Sequence, residues 1–150
     1  MPASPARPPE APPPLPGDDA LSHALRVARM IGADPSLVLH GGGNTSVKTV
    51  QEGRAVLWVK GSGSDLARVQ AFSYTALDLD ATRRLLDTDL QDSAAMYRAL
   101  EPLKLDPAAP RPSIETLMHA ALPATHVIHT HTDAVLALSN NRAANAALAE

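Results

Sequence analysis

The chain contains no cysteine, and its aromatic residues are one Trp, two Tyr and one Phe among 150 residues. Without thiols there is neither a disulfide nor a thiolate metal site, so any bound metal must rest on His, Asp or Glu. So few aromatic rings leave little to stack on bases. A formal net charge of -3 with no basic stripe gives no electrostatic footprint for nucleic acid. No apolar run approaches the ~20 residues that cross a bilayer. Prolines interrupt the N-terminus where a signal peptide would carry its apolar core. The expectation is a cytoplasmic protein that binds neither nucleic acid nor membrane. What is present, 45% hydrophobic and 19% charged residues, suits one soluble globular domain.

Proline is abundant, and it is concentrated at one end. Residues 1–17 include Pro8-Pro9 and Pro12-Pro13-Pro14. Because proline fixes φ and removes an amide donor, this segment is expected to be an extended, disordered leader. A ligand for a polyproline-binding module is the alternative. Residues 18–150 are then the folded part. Acidic Asp18 and Asp19 precede Leu21, Leu25, Ala28, Met30 and Ile31, a helical spacing that Gly32 ends. Ser36–His40, Asn44–Lys48 and Ala55–Val59 read as short strands, the last two joined by a Gln51-Glu52-Gly53 turn. Asp65–Val69 reads as one helical turn, Thr75–Leu86 as containing a helix, and Gln91–Leu100 as a helix. Ser113–Leu122 reads as a helix with Ser113 as its N-cap, Ala124–His131 as a strand, and Ala134–Leu138 as the start of a helix. Close strands followed by mixed elements predict an α/β sandwich with a largely antiparallel sheet.

Four places carry chemistry. Gly41-Gly42-Gly43-Asn44 offers exposed amides and a side-chain amide that can line an anion pocket; a plain loop is the alternative. It has neither the spacing of a Walker loop nor the following helix of a dinucleotide fingerprint. Lys60-Gly61-Ser62-Gly63-Ser64 is a second hydroxyl-bearing turn at a strand end. Glu115 and His119 are four apart and share a helix face, although a glutamate in a first turn also serves the helix dipole. His129 and His131, two apart in an extended segment, project from one face and can share a metal ion, whereas His126 faces the other way. His23 and His40 read as surface or packing histidines.

Taken in order, Leu39-His40-Gly41-Gly42-Gly43-Asn44-Thr45-Ser46, Lys60-Gly61-Ser62-Gly63, Pro112-Ser113-Ile114-Glu115 and His129-Thr130-His131 resemble the motifs of the class II aldolase and adducin family. The likeness runs from about Asp18 to the chain end. Its wording is most similar to the aldolase portion of bifunctional rhamnulose-phosphate aldolase/alcohol dehydrogenases. The resemblance implies a three-layer α/β/α sandwich with a largely antiparallel central sheet. It implies zinc-dependent cleavage of a ketose 1-phosphate, such as rhamnulose 1-phosphate, to dihydroxyacetone phosphate and an aldehyde. By motif, His129 and His131 are the expected zinc ligands (another divalent metal is the alternative) and Glu115 the expected acid/base. Asn44, Ser62, Gly63 and Ser113 are the expected phosphate holders, and a homotetramer the expected assembly. Family sites use a third histidine several tens of residues past the His-x-His pair. The fold is therefore expected to be incomplete at the C-terminus, with further ligands and strands beyond Glu150. Glu115 is an alternative third ligand when no substrate is bound. A non-catalytic adducin-like association module and an inactive truncated fragment are the competing functional readings.

Overall fold

The computed structural model describes residues 19–140; the leader expected over residues 1–17 and the stretch 141–150 of the expected domain lie outside them. Helix α1 (Ala20–Gly32) starts where the Asp19 carboxylate accepts from the Ser22 amide at 2.7 Å. It buries Ala24, Leu25, Val27, Ala28 and Ile31. Its end is fixed by contact: a Cβ on Gly32 would sit 2.1 Å from the Ala67 amide nitrogen. Only glycine lets the 3-10 turn Leu66–Arg68 cross so closely. Arg29 fastens the same crossing by donating through Nε to the Val69 carbonyl at 2.8 Å.

Four strands, β1 (Asn44–Gln51), β2 (Arg54–Lys60), β3 (Tyr74–Asp78) and β4 (His126–His129), form one antiparallel sheet in the order β3-β2-β1-β4. The β1–β2 turn uses Glu52 (φ 49°) and Gly53 (φ 78°), two left-handed residues whose twist suits a tight hairpin. Residues directly opposite on paired strands share a face. The pairs Val47↔Trp58 and Trp58↔Ala76 therefore mark one face, and Leu57↔Leu77 and Ser46↔Val59 the other. The first packs on α1 through a cluster containing Leu25, Ala28, Ile31, Leu66, Val69 and Tyr74. The second joins Leu57, Val59 and Leu77 to Leu79 of α2 (Leu79–Arg84) and Ala120 of α4 (Thr116–Ala121). Helices on both faces of an antiparallel sheet make the expected three layers. Helices α3 (Ser93–Leu100) and α5 (Asp133–Ser139) complete the elements. Among the described residues, nothing pairs with the outer edge of β4, and no helix is long and apolar enough to cross a membrane.

The structure corrects several boundaries. Ser36–His40 is not a strand but part of a turn, in which Leu37 and Val38 donate back to the Asp34 carbonyl and His40 takes φ 51°. Thr75–Leu86 does contain a helix, Leu79–Arg84, capped by Asp78, but its first residues belong to strand β3 (Tyr74–Asp78), which the sequence reading does not place. Pairing with β2 on a buried sheet overrides local helix preference there. Ser113 is not the N-cap of α4. The helix begins at Thr116 with Glu115 at the cap position, and Ser113 Oγ instead accepts from the Glu115 amide at 3.2 Å. The last strand stops at His129, so His131 lies beyond it.

Candidate active site

The site forms where the start of β1 meets the end of β4. Asn44 lies opposite His129 in the register, and the glycines before it make that approach feasible. Gly43 has φ +71°, and a Cβ there would meet the His129 carbonyl oxygen at 2.8 Å. A Cβ on Gly42 would meet His131 Nδ1 at 3.0 Å. The glycine turn thus serves close packing against both histidines of the His-x-His segment. The His129 and His131 rings lie 4.8 Å apart, and the His131 amide donates to the Leu37 carbonyl at 2.9 Å.

Glu115, brought in by the cap of α4, faces the same corner. Its Oε1 is 3.2 Å from His129 Nδ1. Its Oε2 accepts from Ser113 Oγ at 2.7 Å and from Asn44 Nδ2 at 2.8 Å. Asn44 Nδ2 also donates to the Lys60 carbonyl at 3.4 Å, while its Oδ1 is buried without a partner. Burial pushes the Glu115 carboxyl up, but the Ser113 and Asn44 hydrogen bonds and the His129 and His119 rings outweigh it. The carboxyl is held below its ordinary value. Limited hydration alone would have raised it; here the donors win.

His119, one turn along α4, is fully buried. Its Nδ1 is 2.8 Å from Ser46 Oγ, and its Nε2 has no hydrogen-bond partner. Burial drives its pKa down to about 4, against the opposing pull of Glu115, so the ring is neutral at pH 7. A neutral ring donating Nδ1–H to Ser46 presents Nε2 as a free lone pair. Among the described residues, Glu115, His119 and His129 have one ligand atom each, all within 4.8 Å of one another. Two nitrogens and a carboxylate oxygen, with the His119 and His129 nitrogens buried and undonated, fit a divalent ion of the zinc type. This tight set contains His119 where the sequence suggested His131.

The second turn arrives alongside. Gly61 bridges Pro112, and the Ser62 amide donates to the Arg111 carbonyl at 3.0 Å, which sets Ser62 and Gly63 next to the segment leading to Ser113. Gly63 has φ +81° with open space around it. Lys60, 2% exposed, donates to the Ser64 carbonyl at 2.7 Å and the Gly61 carbonyl at 3.3 Å. Burial lowers its pKa, and Glu115 and Asp65 counter that. Asn44, Ser113, Glu115 and His129 thus converge, with Ser62 and Gly63 on the adjoining turn. His119 and Lys60 are named in the sequence reading beside the site residues but given no role in the site. The four-residue spacing of His119 from Glu115 was the available signal for the first. For the second it was the position of a lysine at the mouth of a glycine-serine turn. On the opposite face His126 meets His23 edge to face, ring centroids 5.2 Å apart, as packing histidines; His40 is exposed.

Comparison with known proteins agrees with this geometry. The family model for the class II aldolase and adducin N-terminal domain matches residues 23–149. A Bacillus subtilis (strain 168) protein described as the uncharacterized oxidoreductase YuxG is 46% identical over 116 residues, 74% of this chain. The chain spans only 17% of that protein's length. The N-terminal class II aldolase domain of a conserved Thermoplasma acidophilum protein superposes with a TM-score of 0.80 at 37% identity. That match covers 88% of this chain and 64% of the solved one. The chain belongs to the class II aldolase and adducin N-terminal domain family.

Proposed function

We propose that this domain carries out metal-dependent aldol chemistry on a ketose 1-phosphate, with rhamnulose 1-phosphate as the candidate sugar, forming or cleaving the bond between dihydroxyacetone phosphate and an aldehyde. The observation that carries it is the Glu115 carboxylate 3.2 Å from His129, within a three-residue ligand set. An adducin-like scaffold has no need of a half-buried carboxylate facing undonated imidazoles. The oxidoreductase description of a relative more than five times as long as the matched region suits an aldolase portion joined to a dehydrogenase.

His129, with His131 or His119 beside it, would hold the ion, zinc or another divalent metal. Bound there, the ion would supply polarisation of the substrate carbonyl. The chain's own groups do the rest. In the condensing direction, Glu115 as carboxylate takes a proton from C3 of dihydroxyacetone phosphate. The C3 electron pair forms the new bond to the aldehyde carbon, and the aldehyde oxygen takes a proton from an acid. Cleavage is the reverse, with Glu115 returning the proton to C3. Asn44, Ser62, Gly63 and Ser113 hold the phosphate.

Asn44 and Ser113 cannot do that while both donate to Glu115 Oε2. Substrate arrival therefore shifts their hydrogens from the carboxylate to the phosphate. Glu115 loses two of the interactions that hold its pKa down and becomes a stronger base when there is a proton to take. A homotetramer acting in the cytoplasm goes with this proposal.

The test is direct. Protein loaded with zinc should release dihydroxyacetone phosphate from rhamnulose 1-phosphate, read in a coupled assay. Glu115→Gln should lower the rate about 10²- to 10⁴-fold, the range for removing a general base. Failure to retain zinc, together with no triose phosphate from any ketose 1-phosphate tried, would overturn the proposal.

A further inference from the structure

We infer that Ser46, a residue of β1 outside the ligand set, is a positioning residue for the candidate metal centre: its hydroxyl takes the Nδ1–H of His119 and so turns the Nε2 lone pair of that ring toward Glu115 and His129. The inference rests on the metal-binding part of the reading above, and it names His119 as the imidazole that joins His129.

Alternate residues of a strand face one way at a spacing of about 6.8 Å. Residues four apart on a helix face one way at a spacing of about 6 Å. β1 and α4 use that match. Asn44 donates to the Glu115 carboxylate at 2.8 Å, Ser46 Oγ meets His119 Nδ1 at 2.8 Å, and Lys48 donates to the Leu122 carbonyl at 2.7 Å. Polar side chains at alternate positions of one strand therefore set the rotation of α4 as well as its height on the sheet.

The middle contact asks for more than packing. Ser46 lies opposite Val59 and Val127 in the register, and all three are buried. A histidine placed there only to meet a serine would have both ring nitrogens satisfied. The His119 ring has no exposed surface, yet its Nε2 has no partner. The neutral ring has one N–H to place. On Nδ1 that hydrogen is taken by Ser46, and Nε2 is left as an acceptor for a cation shared with Glu115 and His129, the three ligand atoms lying within 4.8 Å of one another. Imidazole ligands ordinarily have their second nitrogen held in this way, and loss of the holding group costs about 10- to 100-fold in metal affinity.

Zinc affinity is measured by competition with a chromophoric chelator in the parent, Ser46→Ala and Ser46→Thr, below the melting range of each. Ser46→Ala should bind zinc about 10- to 100-fold more weakly. Ser46→Thr, which keeps the hydroxyl, should recover most of the loss. Nitrogen-15 NMR of the zinc-loaded parent should find the His119 proton on Nδ1, and cobalt(II) bound to Ser46→Ala should show an altered visible spectrum. A merely structural role for Ser46 would move neither signal. Equal affinity in the parent and Ser46→Ala, or a zinc-loaded His119 with its proton on Nε2, would overturn the inference. Zinc binding that depends on Ser46 without release of triose phosphate would support it while sinking the proposed reaction.

Discussion

At the scale of single residues, polar groups buried on both faces of the sheet are spoken for in ways no motif could announce. Tyr74 is 2% exposed, and its hydroxyl is hydrogen-bonded to Thr45 Oγ1. Burial pushes its pKa up to about 12, with the Thr45 bond and Arg29 opposing. Between pH 10 and 12 the unfolded chain has lost this proton while the folded chain keeps it. Stability therefore falls as pH rises through that window, and the contribution is whole below pH 10. About 3 kcal/mol is at stake across the whole window, each pKa unit being worth about 1.4 kcal/mol, and most of it is lost by pH 11.5. Denaturant titrations at pH 9 and pH 11.5 should show this loss in the parent and a smaller one in Tyr74→Phe. Gly43→Ala is the second residue-scale prediction. A positive φ costs an L side chain about 1–2 kcal/mol, and contacts of 2.7–2.9 Å add to it. Melting should drop by several degrees, and zinc affinity should fall with it because the His129 carbonyl is the group displaced. The Gly41-Gly42-Gly43 run was legible as a breaker. That two of its glycines exist to admit the histidine segment was not, since that contact joins stretches about 85 residues apart.

At the scale of elements, α1, β1, β2, α3 and α5 were readable within a few residues, because periodicity, caps and a Glu52-Gly53 turn all agree there. β3 was not anticipated ahead of the helix that follows it. Tyr74-Thr75-Ala76-Leu77-Asp78 is buried through its first four residues, so it lacks the polar alternation that marks a half-exposed strand. The α4 start was misjudged for a different reason. Ser113 donates its hydroxyl to Glu115 instead of capping a helix amide, so a side-chain contact at the candidate site replaces the cap. The crossing of α1 over the 3-10 turn at Leu66–Arg68 depends on Gly32. Gly32→Ala should cost about 3 kcal/mol, since overpacking against backbone cannot relax through a rotamer. Chemical denaturation would show it as a lower midpoint at an unchanged slope. A fall under about 0.5 kcal/mol would mean that the helix end can swing clear.

At the scale of the whole molecule, ion binding should be visible without any substrate. A ligand set that exists only in the folded chain ties metal affinity to stability. Zinc at a hundredfold excess over its Kd should stabilise the protein by about 2.7 kcal/mol and raise Tm by several degrees. EDTA should reverse the rise, and His129→Ala should abolish it. His119→Ala and His131→Ala, compared in the same assay, decide which imidazole joins His129. The family and the layered architecture were evident from four short motifs in order. The hydrogen-bond traffic between Asn44, Ser113 and Glu115 was not, because it depends on distances and not on residue identity.

The contact between Asn44 and Glu115 closes 71 residues of chain, and its consequence is one of timing. Neighbouring strands β1, β2 and β3 can zip together as soon as they leave the ribosome, since their pairings are local. Glu115 and His129 must wait for a long loop to be shut, the slower kind of step. A nascent chain should therefore acquire its scaffold early and the Glu115–His129 corner late, so that under the proposed function a half-made copy has no working site.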